Sequence, residues 1–176
     1  MNSALSLPIQ TSWLIPIYGF VGVLVALPWA AGWFRRDAHR PAAYLNILLT
    51  LLAFVHGSLV LRDVLADGPA TLHFPWLTVA DLQLDISFSL SLTNVAALEL
   101  ITGLSLVSQV YSLGYLDKEW ALARFFALLG FFEGAMSGVV LSDTLFQSYF
   151  LLEMLTLSTY LLVGFWYAQP LSLIHI

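Results

Sequence analysis

The chain has 176 residues, 60% hydrophobic and 10% charged, with 6 Lys and Arg against 11 Asp and Glu for a formal net charge of −5. An ordinary soluble domain is about 25% charged, and a globule of this length has too little interior to hide so much apolar side chain. A water-soluble domain, a disordered chain and a cationic nucleic-acid binder are therefore excluded, which leaves a helical protein with lipid as its solvent. The chain has no cysteine, so disulfides, thiol catalysis and cysteine-held zinc or iron–sulfur clusters have no ligands here. Met1 to Ser12 carries no Lys or Arg, and no cleavable signal peptide is read there.

A membrane span needs about 20 apolar residues. The first stretch that qualifies is 13–34, with Pro16 and Pro28 expected to bend it. The polar connector from Arg35 to Pro41 leads into a second span, 42–61, which holds the single intramembrane histidine, His56. No second histidine lies at helical spacing from it, so a hydrogen-bonded core role is preferred over haem or metal ligation. The segment 67–91 is different. After Gly68 and Pro69, apolar Leu82, Leu84, Ile86, Phe88 and Leu90 alternate with polar Gln83, Asp85, Ser87 and Ser89. A period of two predicts a strand with one buried face, here a short β-hairpin on the outer side. Three more spans follow at 92–116, 121–141 and 145–167.

Orientation follows the basic residues. Arg35, Arg36, Arg40, Lys118 and Arg124 fall on one side and only Arg62 on the other, which places the N-terminus outside. The expected fold is all-α and transmembrane, five spans with an outer hairpin, as part of a larger helix bundle.

Three glutamates lie within the spans, where a carboxylate costs about 2.5–3.5 kcal/mol on insertion scales. Glu153 sits mid-span in LLEML, with Tyr149, Thr156 and Tyr160 on its face. It is expected to face the protein interior or water, and a proton-relay role is preferred over an interhelical hydrogen bond. Glu99 opens a polar stripe continued by Thr102, Ser105, Gln109 and Ser112. Such a row serves either as a hydrated path or as hydrogen-bond glue, and the pattern alone favours neither. Glu133 lies between Gly130 and Gly134, with Gly138 beyond, a doubled G-x-x-x-G that lets another helix approach closely. Glu133 and Glu99 are weaker relay candidates than Glu153. No G-x-G-x-x-G or P-loop is present, so no nucleotide site, metal site or redox centre is expected on this chain.

The run GYLDKEWALARFFALLGFFEGAMSGVVLSDTLFQSYFLLEMLTLSTYLLVGFWY, from Gly114 to Tyr167, resembles the third-to-fifth span region of the antiporter-like subunit 5 (NdhF) of complex I. The patterns RFFALL and E-x-x-x-x-x-x-YLLVGFWY carry the likeness, with QTSWLIPIYG upstream. The segments HFPWLTVADLQL, ITGLSLVSQVYSLGYL and LLEMLTLSTYLLVGFWYAQP are similar to the cyanobacterial variants that serve carbon-dioxide uptake. The resemblance implies a membrane subunit of a proton-translocating NAD(P)H- or ferredoxin:quinone oxidoreductase in a cyanobacterial thylakoid or plasma membrane. Other membrane subunits and lipid would be its partners, and quinone and iron–sulfur clusters would lie on other subunits. It also implies that Glu153 is the family's fifth-span relay glutamate, whose lysine partner sits on a later, broken helix. Glu99 and Glu133 match no family motif. Family members continue for many more spans, so the chain is expected to be an N-terminal fragment, inactive alone. LSLIHI (171–176) is expected to be a non-native tail. A multi-subunit cation/proton antiporter subunit and a non-transporting membrane scaffold are the alternative readings.

Overall fold

The computed structural model describes residues 5–33, 40–79, 82–116 and 121–165. Among them are α1 (Leu7–Gln10), α2 (Leu14–Ala30), α3 (Arg40–Asp67), β1 (Ala70–Val79), β2 (Leu82–Leu90), α4 (Leu92–Tyr115), α5 (Leu122–Leu141) and α6 (Leu145–Val163). Four helices, α3 to α6, are long and apolar enough to cross a membrane. The first expected span is shorter than the sequence suggests. Its helix, α2, has 17 residues, about 25 Å at the α-helical rise and at the lower limit for a span. The cause lies at both ends. The chain turns through Thr11–Trp13 before α2, and Gly32, at φ +78°, ends it in the left-handed region. Pro16 falls in the first turn, where its missing N–H has no partner to lose, and Pro28 falls in the last. The middle of α2 is uninterrupted.

Helix α3 runs six residues past its expected end, to Asp67. Asp63 is buried in this extension, accepting from Ser6 Oγ at 2.6 Å and from Arg62 Nη2 at 2.8 Å. Helix α4 starts after Ser91, whose hydroxyl accepts from the Asn94 N–H at 3.2 Å, and Thr144 caps α6 through the Gln147 N–H at 3.3 Å. These caps satisfy N–H groups that have no partner inside the helix.

Helix α5 is the centre of the bundle and packs on α2, α3, α4 and α6. Its glycines set the closest approach. A Cβ on Gly19 of α2 would lie 2.5 Å from Gly134 N and 2.7 Å from Gly130 O, so backbone meets backbone at this crossing. Gly138 faces a different helix, receiving Leu151 of α6. The doubled G-x-x-x-G therefore serves two neighbours, as small residues do in membrane helices.

The hairpin is antiparallel, pairing Ala70 with Leu90 and Phe74 with Ile86. The register shifts between Pro75 and Leu77, leaving Trp76 as the extra residue; Pro75 has no N–H for the ladder, so a bulge suits it. The alternation is present, but Ser87, expected on the open face, is 2% exposed. Its side chain meets His73 Nδ1 at 2.9 Å, its N–H donates to Gln147 Oε1 at 3.0 Å, and its carbonyl accepts from the Asp143 N–H at 3.0 Å. The polar face is buried here because the α5–α6 connector and the first turn of α6 bring Asp143 and Gln147 against it. Gln147→Leu should loosen this tether by about 1–2 kcal/mol, read as faster amide exchange at Ser87; unchanged exchange would show that the tether holds nothing.

On the aromatic side, Trp76 stacks on Phe146 and Trp13 meets Phe74 edge-on, around an apolar groove of about 590 Å³ between the hairpin, α2 and α6. Arg62 lies at the hairpin end of the bundle. Arg40 and Arg124 lie at the opposite end, where Ala43, Leu116, Leu122 and Phe126 cluster and the Arg124 guanidinium donates to the Phe165 carbonyl at 2.8 Å. Arg35, Arg36, Lys118 and the 171–176 segment lie outside the described residues.

Candidate functional site

The site is built where α3, α4 and α5 meet. Helix α5 buries one face through Gly130, Glu133, Gly134, Ser137 and Gly138. Only glycines and a serine flank Glu133 on that face, so its carboxyl extends into the bundle, where it is 1% exposed. Its Oε2 accepts three hydrogen bonds: from Thr50 Oγ1 on α3 at 2.5 Å, and from Ser105 Oγ at 3.0 Å and Gln109 Nε2 at 3.1 Å on α4. Gln109 Nε2 also donates to Thr50 Oγ1 at 2.6 Å. One carboxylate oxygen thus joins three helices. Glu133 Oε1, Gln109 Oε1 and Ser137 Oγ are buried with no hydrogen-bond partner among the described residues.

Glu99 forms a second, smaller site nearer the hairpin. Its Oε1 accepts from Ser58 Oγ of α3 at 2.5 Å, while Oε2 is buried without a hydrogen bond. Gly57 makes room for it, since a Cβ there would lie 2.8 Å from Oε2. The polar stripe of α4 therefore divides. Glu99 turns to α3, Thr102 donates to the Leu98 carbonyl at 3.0 Å, and Ser105 and Gln109 turn to Glu133.

Glu153 is placed apart from both. It lies on the exposed face of α6 with Tyr149 and Tyr160, and no hydrogen bond or ion pair reaches it among the described residues. It does not turn into the bundle formed by the described helices. The reason is geometric: α6 packs on α5 through its other face, where Leu151 fills the notch at Gly138. His56 is hydrogen-bonded, to Thr11 Oγ1 at 3.1 Å and near the Pro8 carbonyl at 3.2 Å. Among the described residues no three His, Asp or Glu side chains converge to hold a metal ion.

Sequence reasoning missed Thr50, Ser58 and Asn46, all on α3. Asn46 is buried and donates to the Gly22 carbonyl of α2 at 3.1 Å. The signal for Asn46 and Thr50 was available: Asn46, Thr50, Ala53 and Gly57 recur at helical spacing in a leucine-rich span, marking a seam of small and polar residues.

Residues 76–126, which run from the hairpin through α4 into α5, match the profile of the N-terminus of chain 5 of NADH-ubiquinone oxidoreductase (complex I). The chain is 70% identical, over 97% of its length, to NAD(P)H-quinone oxidoreductase subunit 5, organellar chromatophore 2, of Paulinella chromatophora. It is 28% identical over 92% of its length to the chromatophore 1 protein of the same organism, and 30% identical over 92% to the chloroplastic subunit 5 of Chara vulgaris. It spans 28%, 25% and 25% of these relatives' own lengths. With its apolar helices and hairpin in place, the chain belongs to the subunit 5 family of NAD(P)H-quinone oxidoreductases.

Proposed function

We propose that the chain supplies the opening spans of the membrane subunit of a proton-translocating quinone oxidoreductase, with Glu153 as a relay carboxyl presented to helices beyond this segment. The observation that carries the reading is the 70% identity to a subunit 5 over nearly the whole chain. The placement of Glu153 supports it. A carboxyl on the exposed face of an apolar helix, beside two exposed tyrosines, is costly against lipid and stable against a polar or cationic partner helix. The partners in this reading are the other membrane subunits, and the location is a photosynthetic membrane.

The two chromatophore proteins sort the chain sharply, at 70% against 28% identity. That difference supports a specialised form of the subunit over the general one, and the carbon-dioxide-uptake form is our reading of it.

The test is Glu153→Gln in the complete subunit within its assembled complex. The amount of complex is expected to be unchanged, and proton translocation per quinone reduced to fall by about tenfold or more. Unchanged translocation removes the role assigned to Glu153. Translocation that requires sodium and no quinone points instead to a cation/proton antiporter.

A further inference from the structure

We propose that Glu133 is a second proton-holding carboxyl, internal to this chain, that takes up a proton on Oε1 and releases it during turnover. The inference rests on the reading of the protein as a proton-translocating subunit, and it concerns a different carboxyl on a different helix from Glu153.

The geometry assigns different tasks to the two oxygens. Oε2 is saturated by three donors, from Thr50, Ser105 and Gln109. Oε1 is buried with no hydrogen bond, as are Gln109 Oε1 and the Ser137 hydroxyl one turn further along α5. A proton on Oε1 makes the carboxyl neutral and so removes the charge from this buried oxygen. Without the proton, the same oxygen is a buried negative atom with no donor.

Among the described residues, no charged group contacts Glu133 to fix either state. Facing Glu133 or its α5 neighbours are Thr50 and Asn46 from α3, Ser105 and Gln109 from α4, Gly19 and Phe20 from α2, and Leu151 from α6. Tyr111, two residues beyond Gln109 on α4, is exposed; the nearest carboxyl on α4 and the nearest imidazole on α3 are Glu99 and His56, each six residues from a Glu133 partner, or about 9 Å along the axis. Both have their own partners, Ser58 and Thr11. A plain structural linker between helices needs no carboxyl, since a glutamine accepts the same three bonds through its amide oxygen. What the carboxyl adds is an exchangeable proton.

That equivalence makes Glu133→Gln the informative variant, because it mimics the protonated form and preserves the network. In the assembled complex in native membranes, infrared difference spectra between quinone-oxidised and quinone-reduced states should contain a carboxyl C=O band. The band should shift in heavy water and be absent in Glu133→Gln. Protons moved per quinone reduced should fall by about tenfold or more. A Glu133→Gln complex that keeps both the band and the translocation overturns the proposal. If Glu133→Gln fails to assemble, Glu133→Asp decides: a displaced band supports the site, and an unmoved band overturns it. The Glu153→Gln complex separates the two readings. Translocation lost there but kept in Glu133→Gln defeats this inference alone. Translocation kept in Glu153→Gln, with the Glu133 band still present, defeats the Glu153 assignment alone.

Discussion

Replacing Gly19 by alanine should destabilise the bundle by about 3 kcal/mol. The new methyl would meet Gly134 N at 2.5 Å, and Gly130 O and Gly134 Cα at 2.7 Å. All three are backbone atoms of α5, so no side chain can rotate away, and relief requires the two helices to separate. Separation would also stretch the Asn46 bond to the Gly22 carbonyl and draw Gly134 away from Phe20. Two comparisons isolate this cause. At Gly57 the added carbon would meet the Glu99 Oε2 atom, the end of a flexible side chain, so the cost should be smaller. At Gly114 nothing lies within 4 Å, and alanine inside α4 should gain up to about 1 kcal/mol of helix propensity. Thermal unfolding of the complete subunit in detergent reads all three. Equal midpoints for the Gly19 and Gly114 variants would show that the crossing is not as tight as drawn.

Glu133→Leu should cost about 2–3 kcal/mol, whereas Glu133→Gln should cost little. Leucine has similar bulk but no acceptor, so the donors of Thr50, Ser105 and Gln109 lose a shared oxygen inside the bundle. The two hydroxyls can turn to carbonyls of their own helices. The Gln109 amide retains only its bond to Thr50 Oγ1. The loss is therefore concentrated where α4 meets α5, and the expected signature is weakened association of α4 at constant helix content. Detergent unfolding followed by tryptophan fluorescence and by circular dichroism separates these effects. A leucine variant as stable as the glutamine one would mean that the three bonds contribute nothing net.

Much of the fold was legible because lipid imposes simple rules on sequence. Runs of apolar residues gave α3 to α6, and the period of two gave the hairpin. Glycine spacing marked the close face of α5. The errors arose where a neighbour decides the outcome. Ser87 reads as an outward residue of a half-buried strand until the Asp143 N–H and the Gln147 side chain arrive beside it. The first span reads as long because Trp13 and Phe34 are apolar, while turns on either side shorten the helix. The site was legible only as a set of faces. Helical spacing put Ser105 and Gln109 on one stripe with Glu99, but spacing within a helix does not say which helix stands opposite. Thr50 on α3 and Glu133 on α5 are 83 residues apart, and no local pattern links them. The same limit left open which neighbour Glu153 meets, since a mid-span glutamate looks alike on either side of its helix.

The notch at Gly138, filled by Leu151, closes the seam between α5 and α6. Glu133 lies on one side of that seam and Glu153 on the other. The leucine side chain offers a proton no hydrogen-bonded stepping stone at this notch, so under the roles proposed for the two carboxyls the notch would insulate one from the other. Two carboxyls on adjacent helices can then hold different protonation states at the same moment, and a conductor built on one side does not short to the other.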